Sequence, residues 1–260
     1  MRSNFHVQTF FQKFPFLGKN KIGPKDSAPI FIACPVNFFF TKKLPVSVSL
    51  TANPCDHATN NLKIIDNRPL RGGKKKFGVC SKYILYEERN FTIRFIEWVK
   101  LLQILGVEKI HLYNKHVHPD FLKVLKKLER KGIIEVWPFL EPSDIYENKP
   151  YTIQRFLIEM ASINDCLYRT MHLYEYIAFI DPDEVIIPVR KEDRTWSDLL
   201  QNFEPIDRRF YHSISAENLY FPPNDQTPFS DIPKYHYMLQ NVQVKYLKFK
   251  LISNAFKTIF

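Results

Sequence analysis

Glycine is scarce in this 260-residue chain, with seven against eighteen prolines. No GxGxxG occurs, and no GxxxxGK followed by Ser or Thr, so neither a dinucleotide fingerprint nor a P-loop is present. A bound phosphate must therefore be neutralised by something other than a Gly-rich loop. Cysteine is also sparse. Cys34, Cys55, Cys80 and Cys166 stand far apart, with no CxxC and no Cys/His spacing of a zinc site. They are core thiols, or they form up to two disulfides in any of three pairings. Long apolar runs are missing as well. The best, Pro29 to Phe40, is broken by Pro35 and Asn37 and falls short of the ~20 residues a spanning helix needs. Residues 1–20 hold no signal-peptide core. As written, the chain is expected to be soluble and to carry no cellular address. It contains no internal repeat.

What is present points to a folded domain. The chain is 45% apolar and 15% aromatic, enough for a sizeable core in one large domain, with or without a subdomain. Its formal charge of +10 and pI near 9.3 suit either an anionic partner or a basic solvated surface. No DNA- or RNA-binding motif accompanies the charge, so no nucleic-acid partner is expected. The densest basic cluster, Arg71-Gly-Gly-Lys74-Lys75-Lys76, borders turn residues and reads as a solvated loop. One glycosylation sequon, Asn90-Phe91-Thr92, is compatible with secretion.

Residues 1–29 carry no periodic pattern and read as an irregular extension. Residues 30–76 hold short apolar stretches, Phe31–Val36 and Val46–Thr51, expected to be strands and loops packed on the main domain, itself expected over 30–245. From Phe77 a regular order emerges. Phe77–Leu85 reads as a strand. Phe91, Phe95, Trp98/Val99, Leu102 and Leu105 recur at helical spacing up to Gly106. Val107–Tyr113 is the next strand. His118-Pro119-Asp120 opens a second helix that Gly132 closes, and Ile133–Pro138 is a strand again. A helix over about 152–171 and a strand over Tyr176–Ile180 come next. This alternation predicts an α/β fold with a mostly parallel central sheet flanked by helices. Trp196–Leu200 suits a short helix. Residues 203–236 suit pocket-shaping loops, and 246–260 read as a basic tail.

The order places Tyr176-Ile-Ala-Phe-Ile-Asp181-Pro-Asp183-Glu184 at the carboxyl end of a strand, where α/β sheets bind ligands. Asp181 and Asp183, two residues apart, suit a hard divalent cation such as Mn²⁺ or Mg²⁺, which takes one or two carboxylates and fills its remaining positions with water and phosphate. Such a cation clamps a pyrophosphate and stabilises its departure, replacing the absent Gly-rich loop. The plain alternative is a polar turn capped by acids. On helix 152–171, Gln154, Ala161, Asp165 and Tyr168 share a face, since eleven residues bring 154 and 165 within about 20°. Asp165 and Arg169 stand i,i+4 and are placed to pair. They form either a structural network or a nucleotide contact.

Several segments together resemble glycosyltransferase family 92, common in nematodes and insects. They are Ala33-Cys-Pro-Val36, Val46–Leu50, Cys55 with Ala58–Leu62, and Gly78-Val-Cys80. The series continues with Arg94–Trp98, Leu105–Val107 through Tyr113-Asn114, Asn164–Arg169, and Ile180–Glu184 with Pro188. Order and spacing over roughly 30–240 carry the resemblance. It implies a GT-A-like nucleotide-sugar-binding fold, a UDP-sugar donor (UDP-galactose), a glycan acceptor on glycoprotein or glycolipid, and inverting transfer. It also implies Mn²⁺ at Asp181 and Asp183, and a Golgi type II membrane protein with lumenal disulfides. Glu184 becomes a supporting or sugar-contacting acid. Lys82 and Tyr83 line the uridine pocket with Tyr113 and Asn114, and Asn164 and Asp165 lie close beneath. Glu217 and Asp225 are the acids from which a general base is expected.

The chain departs from that family in two ways. It lacks the membrane anchor, and it stops soon after Lys245, where the family continues to a late histidine. A partial gene product or an inactive, carbohydrate- or protein-binding relative is therefore the rival expectation. A haloacid-dehalogenase-type phosphatase also runs an apolar strand into Asp-x-Asp. It wants a Thr two residues after the second Asp, where this chain has Glu184-Val185.

Overall fold

The computed structural model describes residues 10–12, 31–33, 45–53, 55–67, 73–86, 91–139, 151–201, 213–217, 219, 221, 231–233, 235–240 and 256–259. The chain forms two units that divide between Arg68 and Pro69. In the first unit, β1 (Phe10–Gln12) pairs antiparallel with β2 (Phe31–Ala33), and β3 (Ser47–Val48) with β4 (Leu62–Lys63). Asn60 closes the second pair by accepting from the Leu50 N–H and donating to the Leu50 carbonyl.

The second unit is built on a six-stranded sheet. In chain order it contains β5 (Lys75–Tyr86), α1 (Phe91–Ile104), β6 (Lys109–Val117), α2 (Pro119–Arg130) and β7 (Ile134–Pro138). Then come α3 (Tyr151–Thr170), β8 (Tyr174–Phe179), α4 (Trp196–Gln201), β9 (Ile214–Glu217), α5 (Tyr237–Gln240) and β10 (Phe256–Ile259). The sheet order is β7-β6-β5-β8-β10-β9. The first four strands pair in parallel, while β10 joins β8 and β9 antiparallel. Thus β10, within the stretch read as a tail, is a strand of the sheet. The fold class expected from periodicity, α/β with a mostly parallel sheet flanked by helices, is the one observed. No helix among the described residues is long and apolar enough to cross a membrane.

Helix ends obey the expected chemistry. The Gly106 N–H donates to Gln103 and the Val107 N–H to Leu102, and Gly132 and Ile133 repeat this pattern on Glu129 and Leu128. Both glycines adopt positive φ, +99° and +72°, which a side chain resists, so each helix stops where the turn to the next strand begins. Pro119 occupies the first turn of α2 after the His118 cap, where its missing N–H costs nothing.

Strand alternation sorts the core into two faces. Ile134, Ile110, Val79 and Ala178 lie in register across four strands and join Phe77, Leu112 and the buried side chains Phe95, Trp98, Leu102, Phe121 and Leu125. The next row, Glu135, His111, Cys80 and Phe179, faces the opposite way, where Cys80, Cys166, Tyr113, Tyr174 and Ile177 cluster. The disulfide Cys80–Cys166 (Cα–Cα 6.1 Å) ties α3 to β5. One of the pairings left open by the sequence is thereby realised. Cys55 is a free, exposed thiol, and Cys34 lies outside the described residues.

Candidate functional site

Strand β8 delivers Ile180 and then Asp181 past the carboxyl end of the parallel sheet, with Ile180 still bonded to the Cys80 carbonyl at 3.3 Å. The chain then turns. The Glu184 N–H donates to the Asp181 carbonyl at 2.9 Å, a β-turn in which Pro182 holds the second position with φ preset by its ring. The Glu184 carboxylate reaches back and accepts the Asp181 N–H at 2.8 Å. Glu184 is thus the clamp of the turn. Two buried indoles fix the chain on its way out. Trp98 Nε1 donates to the Glu184 carbonyl and Trp196 Nε1 to the Ile186 carbonyl, both at 2.7 Å. The acids are therefore carried on a braced turn at the edge of the apolar core.

Asp181 is half-buried and Asp183 exposed. Lys82 Nζ lies 2.6 Å from Asp181 Oδ2 and 3.9 Å from a Glu159 oxygen. Tyr86, at the end of β5, stacks on Phe91 at 3.5 Å. Burial, and after it the charges of Asp183 and Asp181, push its phenol well above the ordinary tyrosine range. Both acids, Lys82, Glu159 and Tyr86 thus converge on one end of the sheet. Among the described residues no three His, Cys, Asp or Glu side chains form a metal cage. A hard cation that keeps water and phosphate oxygens needs no such cage, so two carboxylates from one turn fit it.

Beside this turn lies a second grouping. Tyr83, Tyr113 and Trp137 align across β5, β6 and β7, and Phe139 packs 5.9 Å from Tyr83 and 6.1 Å from Tyr113. The Tyr113 hydroxyl donates to Asp165 at 2.6 Å, and Arg169 Nε donates to the same oxygen at 2.6 Å. The Arg169 guanidinium sits 5.3 Å above Trp137, and Lys115 lies 5.5 Å from the Tyr83 ring. The i,i+4 pair expected on the long helix exists, and it also holds a tyrosine from the sheet.

The Asn164 amide donates to the Met160 carbonyl of its own helix. Asn114 is half-buried, its carbonyl accepting from Phe139 N–H. Glu217 ends β9. Asp225, Arg71 and Asn90 lie outside the described residues. Lys75 and Lys76 open β5, at the end of the strand opposite the acidic turn.

Glu159, Tyr86 and the two bracing tryptophans were not singled out from sequence. A signal existed for Glu159. It precedes Cys166 by seven residues, about 20° apart on a helix, so pairing Cys166 with the sheet puts Glu159 on the sheet side too.

Residues 75–260 match the family model of glycosyltransferase family 92. A glycosyltransferase family 92 protein of Caenorhabditis elegans is 32% identical over 100 residues, covering 35% of this chain and 20% of that protein. The chain thus spans about a fifth of the length of the curated relative it matches. Among solved structures, the crystal structure of S. aureus TarS aligns with 16% identity and a TM-score of 0.32, covering 54% of this chain and 20% of that one.

Proposed function

Because the chain belongs to glycosyltransferase family 92, we propose that it moves a hexose, galactose in the first instance, from a UDP-sugar to a glycan acceptor with inversion. The observation that carries this reading is the Asp181-Pro182-Asp183 turn. It is braced by Glu184 and Trp98 at the carboxyl end of a central parallel strand. In a GT-A-like arrangement Asp181 and Asp183 hold a divalent cation, Mn²⁺ by preference. When bound, it supplies Lewis-acid stabilisation of the departing diphosphate. The protein's own part is geometric. The turn hydrogen bonds fix Asp181 before any ligand arrives, so little ordering remains to be done on binding. The half-buried rings of Tyr83, Trp137 and Phe139, packed around the buried Tyr113, offer flat surface for a base or sugar ring, with Asp165 and Arg169 as polar groups at its edge. Glu217 and Asp225 remain the acids proposed for deprotonating the acceptor hydroxyl. A Golgi lumenal setting, implied by the family resemblance, accords with the Cys80–Cys166 bond, since disulfides persist in oxidising compartments.

Calorimetric titration of UDP tests the reading. Binding that depends on Mn²⁺ and collapses in Asp181→Ala is expected. Binding that ignores Mn²⁺, or survives that substitution unchanged, overturns it. Transfer or hydrolysis of UDP-galactose by the 260-residue chain separates an active enzyme from a relative that keeps the fold as a binding module.

A further inference from the structure

We propose that Lys82 is a built-in counter-ion that competes with a divalent cation for Asp181, and that its displaced ammonium then serves the donor diphosphate. This rests on the glycosyltransferase reading above and deepens it.

Three observations carry it. Lys82 sits in a β-bulge. From Cys80 to Tyr83 is three steps along β5, opposite two steps, His111 to Tyr113, along β6. Such an insertion re-aims a side chain and is common beside functional sites. The bulge sends Lys82 toward the end of β8, 99 residues away in sequence, where Nζ meets Asp181 Oδ2 at 2.6 Å. The contact is also sheltered, with side-chain exposures of 14% and 21%. Glu159 from α3 adds a second carboxylate at 3.9 Å. A sheltered ammonium between two carboxylates neutralises the charge that the strand brings to the lip of the core.

A divalent cation bound to Asp181 needs the same carboxylate, and two cations at that range repel strongly in a partly buried site. One must yield. Lysine is a compact charge on a flexible four-carbon stem, so it can move while Asp181, held by the turn, stays. A nucleoside diphosphate brings the negative charge that a displaced ammonium requires. Cation binding alone is therefore opposed, and binding of cation together with diphosphate is favoured.

The test uses the full 260-residue chain and two probes. Mn²⁺ binding without nucleotide is followed by loss of the free-ion electron paramagnetic resonance signal. UDP binding at saturating Mn²⁺ is followed by calorimetry. Lys82→Gln and Lys82→Met are expected to bind Mn²⁺ about tenfold more tightly and UDP about tenfold more weakly, the low end for a charge at this range. Lys82→Arg, which keeps the charge, is expected to stay near wild type in both. A merely structural lysine would not shift the two affinities in opposite directions. If Mn²⁺ binding depends on Asp181 but does not tighten in the neutral variants, or UDP binding does not weaken, the role of Lys82 is overturned while the transferase reading stands. If Mn²⁺ binds wild type and Asp181→Asn equally, both fall.

Discussion

On one face of the parallel strands, Phe77, Val79, Ile110, Leu112 and Ile134 meet Phe95, Trp98, Leu102, Phe121 and Leu125 as buried hydrocarbon and aromatic rings. On the other, Cys80, His111, Tyr113 and Tyr174 are joined through a disulfide, a histidine–tyrosine contact of 3.0 Å and the Asp165–Arg169 pair. The first face is held by non-directional burial, roughly proportional to area. The second depends on particular partners at particular distances. Lys82, Tyr83, Glu159 and Asp165 come from the strand and helix of the second face. The apolar face contributes the scaffold: Trp98 reaches from it to brace the acidic turn.

Truncating the apolar face is the severest test of this contrast. Trp98→Ala removes a fully buried indole and is expected to cost about 3–5 kcal/mol in chemical denaturation. Trp98→Phe keeps most of the volume but strands the Glu184 carbonyl. It should lose about 1–3 kcal/mol and weaken Mn²⁺-dependent UDP binding more than its stability loss accounts for. Equal damage to UDP binding from Leu102→Ala would break the claim that Trp98 acts through the turn.

On the second face, replacing Cys80 and Cys166 together by alanine removes a cross-link spanning 86 residues and should cost about 2–4 kcal/mol. The bond also predicts that, in the native chain folded under oxidising conditions, thiol titration finds fewer than four reactive cysteines. Four would show that the Cys80–Cys166 bond does not form.

A pH series probes the same face. Burial holds His111 down to about 4 from 6.5, against the opposing pull of Glu135 and with some help from Lys109 and Lys75. As pH falls, the unfolded chain takes up this proton before the folded one does. The neutral ring's contribution is therefore complete above pH 6.5 and is lost between pH 6.5 and about 4. That loss amounts to at most roughly 3 kcal/mol. His111→Gln should flatten that part of the stability–pH curve, and an unchanged slope would sink the assignment. The smallest effect is expected from Tyr113→Phe. It removes one donor from Asp165 while Arg169 remains, and should cost about 1 kcal/mol.

Much of this architecture was legible in the chain itself. The helices of residues 91–104 and 119–130 announced themselves through apolar spacing, and their ends through Gly106 and Gly132. The acidic turn was legible because three carboxylates cannot follow Tyr176–Ile180 into a core, so they had to emerge at a strand end. Pro182 takes the second position of the turn that the Glu184-to-Asp181 hydrogen bond closes. The resemblance implies Lys82 at a uridine pocket but says nothing of its contact with Asp181. The bulge that aims it leaves no mark in hydrophobic periodicity. Nor did the spacing of four cysteines choose among pairings.

Local pattern thus settles which segments of the second unit are helix or strand, where they stop, and that Asp181 and Asp183 stand at the mouth of a parallel sheet. Period, capping and turn chemistry act over a few residues, and those few residues are contiguous in the chain. The folded sheet was needed to establish that Lys82 neutralises Asp181, that Trp98 holds the Glu184 carbonyl, and that Cys80 joins Cys166. Each is a contact between residues at least 86 apart in sequence. Such a contact is set by register and helix rotation once the sheet has closed, and no local pattern encodes either.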